Sequence, residues 1–147
     1  MKPKRSCFPL LALFLFGVAC NTPSALGLAE SLRANIVRSV AQLDYDVEVR
    51  IENAGAQPRY VERCVAVQRR VGVEWATDPY LSGGCATTPR ELVASGGAVT
   101  RHIILRRSAL SETDIATGVF RFVFLVGASE SPTDERVSSI ATRSFSL

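Results

Sequence analysis

The chain has 147 residues, of which 47% are hydrophobic and 21% charged, a balance that excludes a disordered tail or a nucleic-acid-binding arm. Its length suits a single domain. The net charge of +3 arises at one end, because Lys2, Lys4 and Arg5 account for the whole excess of basic over acidic side chains. The remainder of the chain is formally neutral, so we expect no nucleic-acid partner.

The N-terminal segment has the layout of a secretory signal peptide. Its basic cluster is followed by an apolar run from Phe8 to Ala19 and then by a polar stretch that begins at Asn21. The run is too short to cross a bilayer, which requires roughly 20 apolar residues. We therefore predict a signal peptide over residues 1–19 and an exported protein.

Cys20 closes this segment in the sequence LFGVACN, which resembles the lipobox of bacterial lipoproteins. Val18 and Ala19 match the small residues of that motif, whereas Gly17 stands where leucine is usual. The resemblance implies that Cys20 is acylated, with palmitate as the expected kind of acyl group, and that residues 20–29 tether a domain to a membrane facing the periplasm or the cell exterior. Conventional signal cleavage, which would leave Cys20 as a free thiol of a secreted protein, is the alternative.

Two cysteines remain in the folded part of the chain, Cys64 and Cys85. In an oxidising compartment they most simply form a disulfide with each other, which the chain-entropy model values at about 3 kcal/mol. No Cys-x-x-Cys spacing occurs and His102 is the only histidine, so the sequence predicts no metal site and no cofactor.

The body of the chain alternates apolar and polar residues with the period of a β-strand, and no stretch has sustained helical periodicity. Tyr45, Val47, Val49 and Ile51 interleave with four charged residues, which is typical of a half-buried strand. We predict strands over residues 32–40, 45–52, 60–71, 73–76, 99–105, 119–126 and 137–145, and a long loop over 77–89 that contains Cys85.

The strand over 119–126 carries Phe120, Phe122, Phe124 and Val126 on one face and is mostly apolar on the other, which indicates a central strand. Short strands separated by turns predict an all-β fold, an antiparallel immunoglobulin-like β-sandwich of about seven strands. We assign this domain to residues 30–147. An eight-stranded barrel is the alternative, although the long loop suits the edge of a sandwich better.

Several short segments also carry a family resemblance. They are VEVRIEN over 47–53, Trp75, the pair Glu91-Leu92 followed by Gly96, and TGVFRF over 117–122. In this order they resemble bacterial immunoglobulin-like domains of exported proteins and are similar to the sandwich of the intracellular proteinase inhibitor family.

The resemblance covers roughly residues 45–147 and implies a fold more than a function. Ser95 stands where proline is usual in these domains, and Phe120 where tyrosine is usual. The second departure removes the hydroxyl group that forms a tyrosine corner.

The sequence offers no constellation typical of an enzyme. His102 has no partner motif and is expected to be a partly exposed strand histidine, while Asp44 and Asp46 are expected to be solvated strand charges rather than calcium ligands. We therefore predict a non-enzymatic protein; an enzyme would need a polar pocket around His102.

A binding or accessory module of the cell envelope is the predicted function, with the membrane and another envelope protein as partners. Tyr80 and Leu81, in the loop over 77–89, are the predicted contact residues, whereas Trp75 at the base of that loop is expected to pack in the core. A proteinase inhibitor that uses the disulfide-held loop 77–89 as a substrate mimic is the alternative function.

The arginines could add a cationic patch for phosphate or lipid headgroups. Arg69 and Arg70 are the predicted binding residues of this patch, together with Arg101, Arg106 and Arg107. Against this interpretation, the carboxylates of the mature chain balance its arginines overall.

Overall fold

The computed structural model describes residues 31–41, 44–82, 89–133 and 137–147, without the side chains of 38–41. The predicted signal peptide, Cys20 and every other residue before Ser31 lie outside these residues, as does Cys85. The described part of the chain forms ten strands, one α-helix and one 3₁₀ turn. The strands are β1 (Leu32–Ala41), β2 (Tyr45–Asn53), β3 (Arg59–Val61), β4 (Ala66–Val71), β5 (Glu74–Thr77), β6 (Glu91–Val93), β7 (Ala98–Leu105), β8 (Val119–Gly127), β9 (Val137–Ala141) and β10 (Phe145–Ser146), and the helix is α1 (Glu112–Thr117).

The smaller sheet has the order β1-β2-β7, and both of its strand pairs are antiparallel. The alternation predicted for the second strand is confirmed, because Tyr45, Val47, Val49 and Ile51 are buried and the residues between them are more exposed. Full burial of an aliphatic side chain of this size contributes about 1.5–3 kcal/mol, so this face of β2 is a large part of the core.

The larger sheet is built around β8, as the sequence predicts. β4 and β3 pair with one side of β8, and β9 and β10 pair with the other. Phe120, Phe122, Phe124 and Val126 are fully buried and belong to the same core cluster as the inward residues of β2. The predicted antiparallel β-sandwich is thereby confirmed, and the division of strands follows the immunoglobulin pattern of two facing sheets.

The larger sheet is more divided than the sequence indicates. The single strand predicted over 60–71 is interrupted at 62–65 and forms β3 and β4, and the last predicted strand is divided between β9 and β10. A further strand, β6, was not predicted; it is only three residues long and pairs with β3. These interruptions explain why ten strands occur where about seven were expected.

Helix α1, which lies between β7 and β8, was not predicted. Ser111 and Asp114 form a capping box: the Ser111 hydroxyl accepts from the Asp114 N–H, and the Asp114 carboxylate accepts from the Ser111 N–H. The helix ends at Gly118, where a Cβ atom would lie 2.6 Å from the ring of Phe120. Six residues are too few to show helical periodicity, so the cap is the main sequence signal of this helix.

Trp75 is not part of the core, contrary to the prediction. It lies on β5, at the edge of the larger sheet, and pairs with Arg70 of β4. The even-numbered residues of β8 point inward, so Arg121 and its β4 partner Gln68 point outward. Arg70 lies two residues after Gln68 and therefore also points outward, as does its partner Trp75. The guanidinium of Arg121 stacks on the indole ring at 4.4 Å from its centroid, which accounts for the partial burial of Trp75.

Candidate binding cleft

An open cleft of about 440 Å³ lies between β7 and the turn that follows β5, beside the break between β3 and β4. This volume falls in the range of small-ligand sites. The described residues that line it are Arg63, Val65, Tyr80, Leu81, Arg101, His102, Ile103, Ile104, Arg106, Ala109 and Phe124. The cleft thus brings together the two predicted contact residues, Tyr80 and Leu81, with three arginines and the buried ring of Phe124.

Asp78 fixes the wall that Tyr80 and Leu81 form. Its carboxylate accepts the main-chain N–H groups of Tyr80 at 2.9 Å and Leu81 at 3.2 Å. Both ends of the turn are attached to β4, because the Asp78 N–H donates to the carbonyl of Val67 and the Val67 N–H donates to the hydroxyl of Ser82. Tyr80 is 86% exposed, whereas Leu81 packs against the core. A rigid turn therefore presents an aromatic ring to solvent.

Arg101 forms the back of the cleft. Its guanidinium donates to the carbonyls of Glu62 and Val61 and to the carboxylate of Glu91 at 3.0 Å, and it lies 5.5 Å from the ring centroid of Phe124. Burial lowers the pKa of Arg101 from its ordinary value, and Glu91 partly offsets this effect. An arginine keeps its charge under these conditions, so the cleft has a fixed cation at its back.

Arg63 and Arg106 differ from Arg101 because both are exposed. Within the described ranges the side chain of neither arginine makes a hydrogen bond or an ion pair, and no carboxylate is among the described lining residues. Their charges are therefore available to a ligand. The sequence identified Arg106 as part of a cationic patch but offered no signal for Arg63, which reaches the cleft only because the chain leaves the sheet at 62–65.

His102 borders the cleft, but its ring is engaged on the outer face of the smaller sheet. Its Nδ1 atom lies 3.1 Å from the carboxylate of Asp46, and both side chains are about half exposed. The described lining residues include no serine, threonine or cysteine that could act as a nucleophile beside this imidazole.

Arg69 and Arg70 do not line the cleft. Arg69 forms an ion pair with Asp114 of α1, and Arg70 donates from Nε to the carbonyl of Gly72 at 3.1 Å. Successive strand residues point to opposite faces, so these two guanidinium groups do not form one patch. The pKa of Asp114 is lowered by the hydroxyl of Ser111 and, to a smaller extent, by Arg69.

Cys64 lies in the break between β3 and β4, next to Arg63 of the cleft. Its predicted partner, Cys85, lies outside the described residues, so the Cys64–Cys85 disulfide stays a prediction. The same is true of the inhibitory loop over 77–89, since residues 83–88 are not described. The contact between Ser82 and Val67 is consistent with the disulfide, because each of these residues is close in sequence to one cysteine.

Neither a metal-binding cluster nor a membrane-spanning helix occurs among the described residues. They contain no group of three or more histidine, cysteine, aspartate or glutamate side chains arranged to hold a metal ion. They also include no helix with the length and hydropathy needed to span a membrane.

Neither a protein-family model nor a curated protein sequence matches this chain. Two solved structures are similar in part. One is a β-glucosidase from Kluyveromyces marxianus, 17% identical with a TM-score of 0.37; the match covers 84% of this chain and 16% of the glucosidase. The other is a protein from Archaeoglobus fulgidus, 16% identical with a TM-score of 0.33; the match covers 80% of this chain and 96% of that protein. Neither similarity supports a conclusion about function.

Proposed function

We propose that the protein is a lipid-anchored, non-enzymatic binding module of the bacterial cell envelope, and that its ligand occupies the cleft described above. The observation that carries this proposal is the convergence of Tyr80, Leu81, Arg63 and Arg106 on one cleft. A ligand with a negative group and an apolar part would satisfy both kinds of lining residue.

The charge of the cleft favours an anionic ligand. The side chains of Arg63 and Arg106 have no described partner, whereas the charge of Arg101 at the back is paired with Glu91. Carboxylate and phosphate groups bind guanidinium through two parallel hydrogen bonds, which makes arginine well suited to their recognition. The neighbouring Tyr80 ring offers rigid contact area at a low cost in conformational entropy.

The N-terminal sequence supports the anchor. Cys20 ends the predicted signal segment, and the first described strand begins at Leu32. An extended chain of this length reaches about 40 Å, which is enough to hold the domain clear of the lipid headgroups. Envelope localisation would also provide the oxidising conditions that the predicted disulfide needs.

The ligand site is tested by titrating the full-length protein in detergent micelles with a glutamate-rich peptide of about six residues, followed by NMR. We expect the largest chemical-shift changes at Arg63, Tyr80 and Arg106. The variant R63Q/R106Q should lose them.

The matched control is R33Q/R143Q, which removes the same charge from exposed positions outside the cleft. It should retain the shifts. Equal weakening in both double variants, or shifts spread over all arginines, would show non-specific attraction and would refute the proposed site.

A further inference from the structure

We infer that the ligand of this cleft is an extended peptide segment with acidic side chains, which pairs with the free edge of β7 as an added strand. The inference rests on the proposed function, because it assigns a chemical class to the ligand of the same cleft. β7 supplies four of the residues that line it: Arg101, His102, Ile103 and Ile104.

β7 is the long, regular edge of the sandwich. Among the described residues it pairs only with β2, and its eight residues contain no proline. The other edge of the same sheet, β1, has an irregular register between Ile36 and Arg38, which disturbs pairing. In the larger sheet, the edge strands β5, β6, β9 and β10 are only two to five residues long. An edge strand that is long and regular is a template for another strand.

The hydrogen bond at the end of the pairing between β2 and β7 shows which residues of β7 bond to β2 and which face the free edge. Asn53 lies opposite Gly97 and donates its N–H to the Gly97 carbonyl at 2.9 Å, so this is a hydrogen-bonded pair. Such pairs alternate in an antiparallel ladder, which means that Val99, Arg101 and Ile103 bond to β2.

The intervening residues of β7 therefore present their main-chain groups to the free edge. Thr100, His102 and Ile104 each direct an N–H and a C=O away from β2. The other side of β2 is consistent with this phase, because Ala54 donates to the carbonyl of Ser31 in line with β1. Three donor–acceptor pairs are thus spaced as an incoming strand requires.

The cleft determines which side chains the added strand should carry. Side chains that alternate on its inner face would enter the space between β7 and the turn at Tyr80. A carboxylate there would meet Arg63 or Arg106, and an apolar side chain two residues along the added strand would contact Leu81. Main-chain pairing supplies affinity in this mode of recognition, and the side-chain pockets supply specificity.

Two other occupants are less consistent with these observations. A small free anion would use the arginines but would leave the main-chain groups of β7 without a partner. A second copy of the chain would bring two arginine-lined clefts together at one interface, which like-charge repulsion disfavours.

The test uses full-length protein and a capped peptide of about six residues in which glutamate and valine share one face of the strand and threonines occupy the other. Its affinity is compared with that of the same peptide carrying N-methyl groups on alternate residues, which removes main-chain donors and keeps every side chain. We expect N-methylation to weaken binding about tenfold. Amide hydrogen exchange at Thr100, His102 and Ile104 should slow in the complex with the unmethylated peptide.

A protein variant tests the same contact from the other side. T100P removes one edge-facing N–H that the fold itself does not use, and T100A is its control with the N–H retained. T100P should lower the affinity several-fold relative to T100A. If T100P does not fold, the N-methylated peptide still tests whether the ligand pairs with β7, because its affinity is measured with the wild-type protein.

The outcomes separate this inference from the proposed function. If R63Q/R106Q abolishes binding while N-methylation has no effect, the cleft binds the ligand but edge pairing is refuted. If neither change matters, the cleft is not the binding site and both proposals fail. Concentration-dependent protection of the Thr100 amide without peptide would assign the edge to a second copy and overturn the inference.

Discussion

The buried guanidinium of Arg90 packs against the main chain of Gly127, so that one side chain fills the space that a Cβ atom would need at the other residue. Arg90 is only 3% exposed. It donates to the carbonyl of Ser131 at 2.7 Å and contacts the carboxylate of Glu62 at 3.5 Å. This arrangement joins the start of β6 to the loop after β8.

We expect G127A to destabilise the protein by about 1–3 kcal/mol, because the new Cβ would lie 2.6 Å from the Arg90 Cζ atom. Urea denaturation monitored by circular dichroism measures the effect. In an R90M background the same substitution should cost much less, since the flexible Met side chain can move aside. Equal costs in the two backgrounds would contradict direct packing.

The capping box of α1 should make stability depend on pH. The pKa of Asp114 is lowered from 3.8 by the Ser111 hydroxyl first and also by Arg69. Because the folded pKa lies below the unfolded one, the contribution is complete above the unfolded pKa and is lost as the pH falls through the folded pKa. Free energies of unfolding measured through the acidic range should show this loss, and D114N should remove it.

Glu112 provides the control for this pH effect, because it lies on the same helix and is exposed. In an E112Q background, D114N should still remove the acid-dependent loss. At neutral pH, S111A should cost about 1 kcal/mol, the usual value of an N-cap. A D114N protein with the full acid dependence of the wild type would show that another group is responsible.

Trp75 should be dispensable for folding, because it stacks under Arg121 on the outer face of the sheet. We expect W75A to cost about 1 kcal/mol or less, whereas F122A in the core should cost about 3–5 kcal/mol. Since Trp75 is the only tryptophan, R121A should shift its emission to longer wavelength by exposing the ring. Severe destabilisation by W75A would place the indole in the core after all.

The predicted disulfide can be checked directly. Non-reducing peptide mapping of the exported protein should recover a peptide that joins Cys64 to Cys85. C64S and C85S should each lower stability by about 3 kcal/mol, and the double variant should cost no more than either one. Two free thiols in the wild-type protein would exclude this bond.

The lipid anchor predicts a specific chemical change at Cys20. Mass spectrometry of the mature protein should find acyl groups on an N-terminal Cys20, and C20A should move the protein to the soluble fraction. C7A is the matched control, because Cys7 lies within the predicted signal peptide and should not affect anchoring. A mature protein with an unmodified N-terminus would refute the anchor and leave export untouched.

The sequence predicts best where one physical requirement determines the pattern. β2 and β8 are recognisable because each must bury one face, and the period of two follows from that need. The central place of β8 is predictable for the same reason, since Phe120, Phe122 and Phe124 demand a fully covered face.

The candidate site was less predictable, because it depends on contacts between residues distant in sequence. Tyr80 and Leu81 were identified from the loop that contains them, but Arg63 reaches the cleft only through the interruption of a strand. From the sequence alone, Arg101 is expected at the surface. It is buried because the carbonyls of Val61 and Glu62, which are distant in sequence, accept hydrogen bonds from its guanidinium. Tertiary hydrogen bonds of this kind leave no periodic signal.

Arg101 also restricts how the two layers of the sandwich can move. It starts on β7 in the smaller sheet and ends on carbonyl groups of the larger sheet, at the point where the chain leaves the ladder between β3 and β4. Apolar contacts between the sheets have no preferred direction and would tolerate small sliding displacements. A buried guanidinium held by directional bonds does not, so the Arg101 side chain opposes sliding of the layers along their strands.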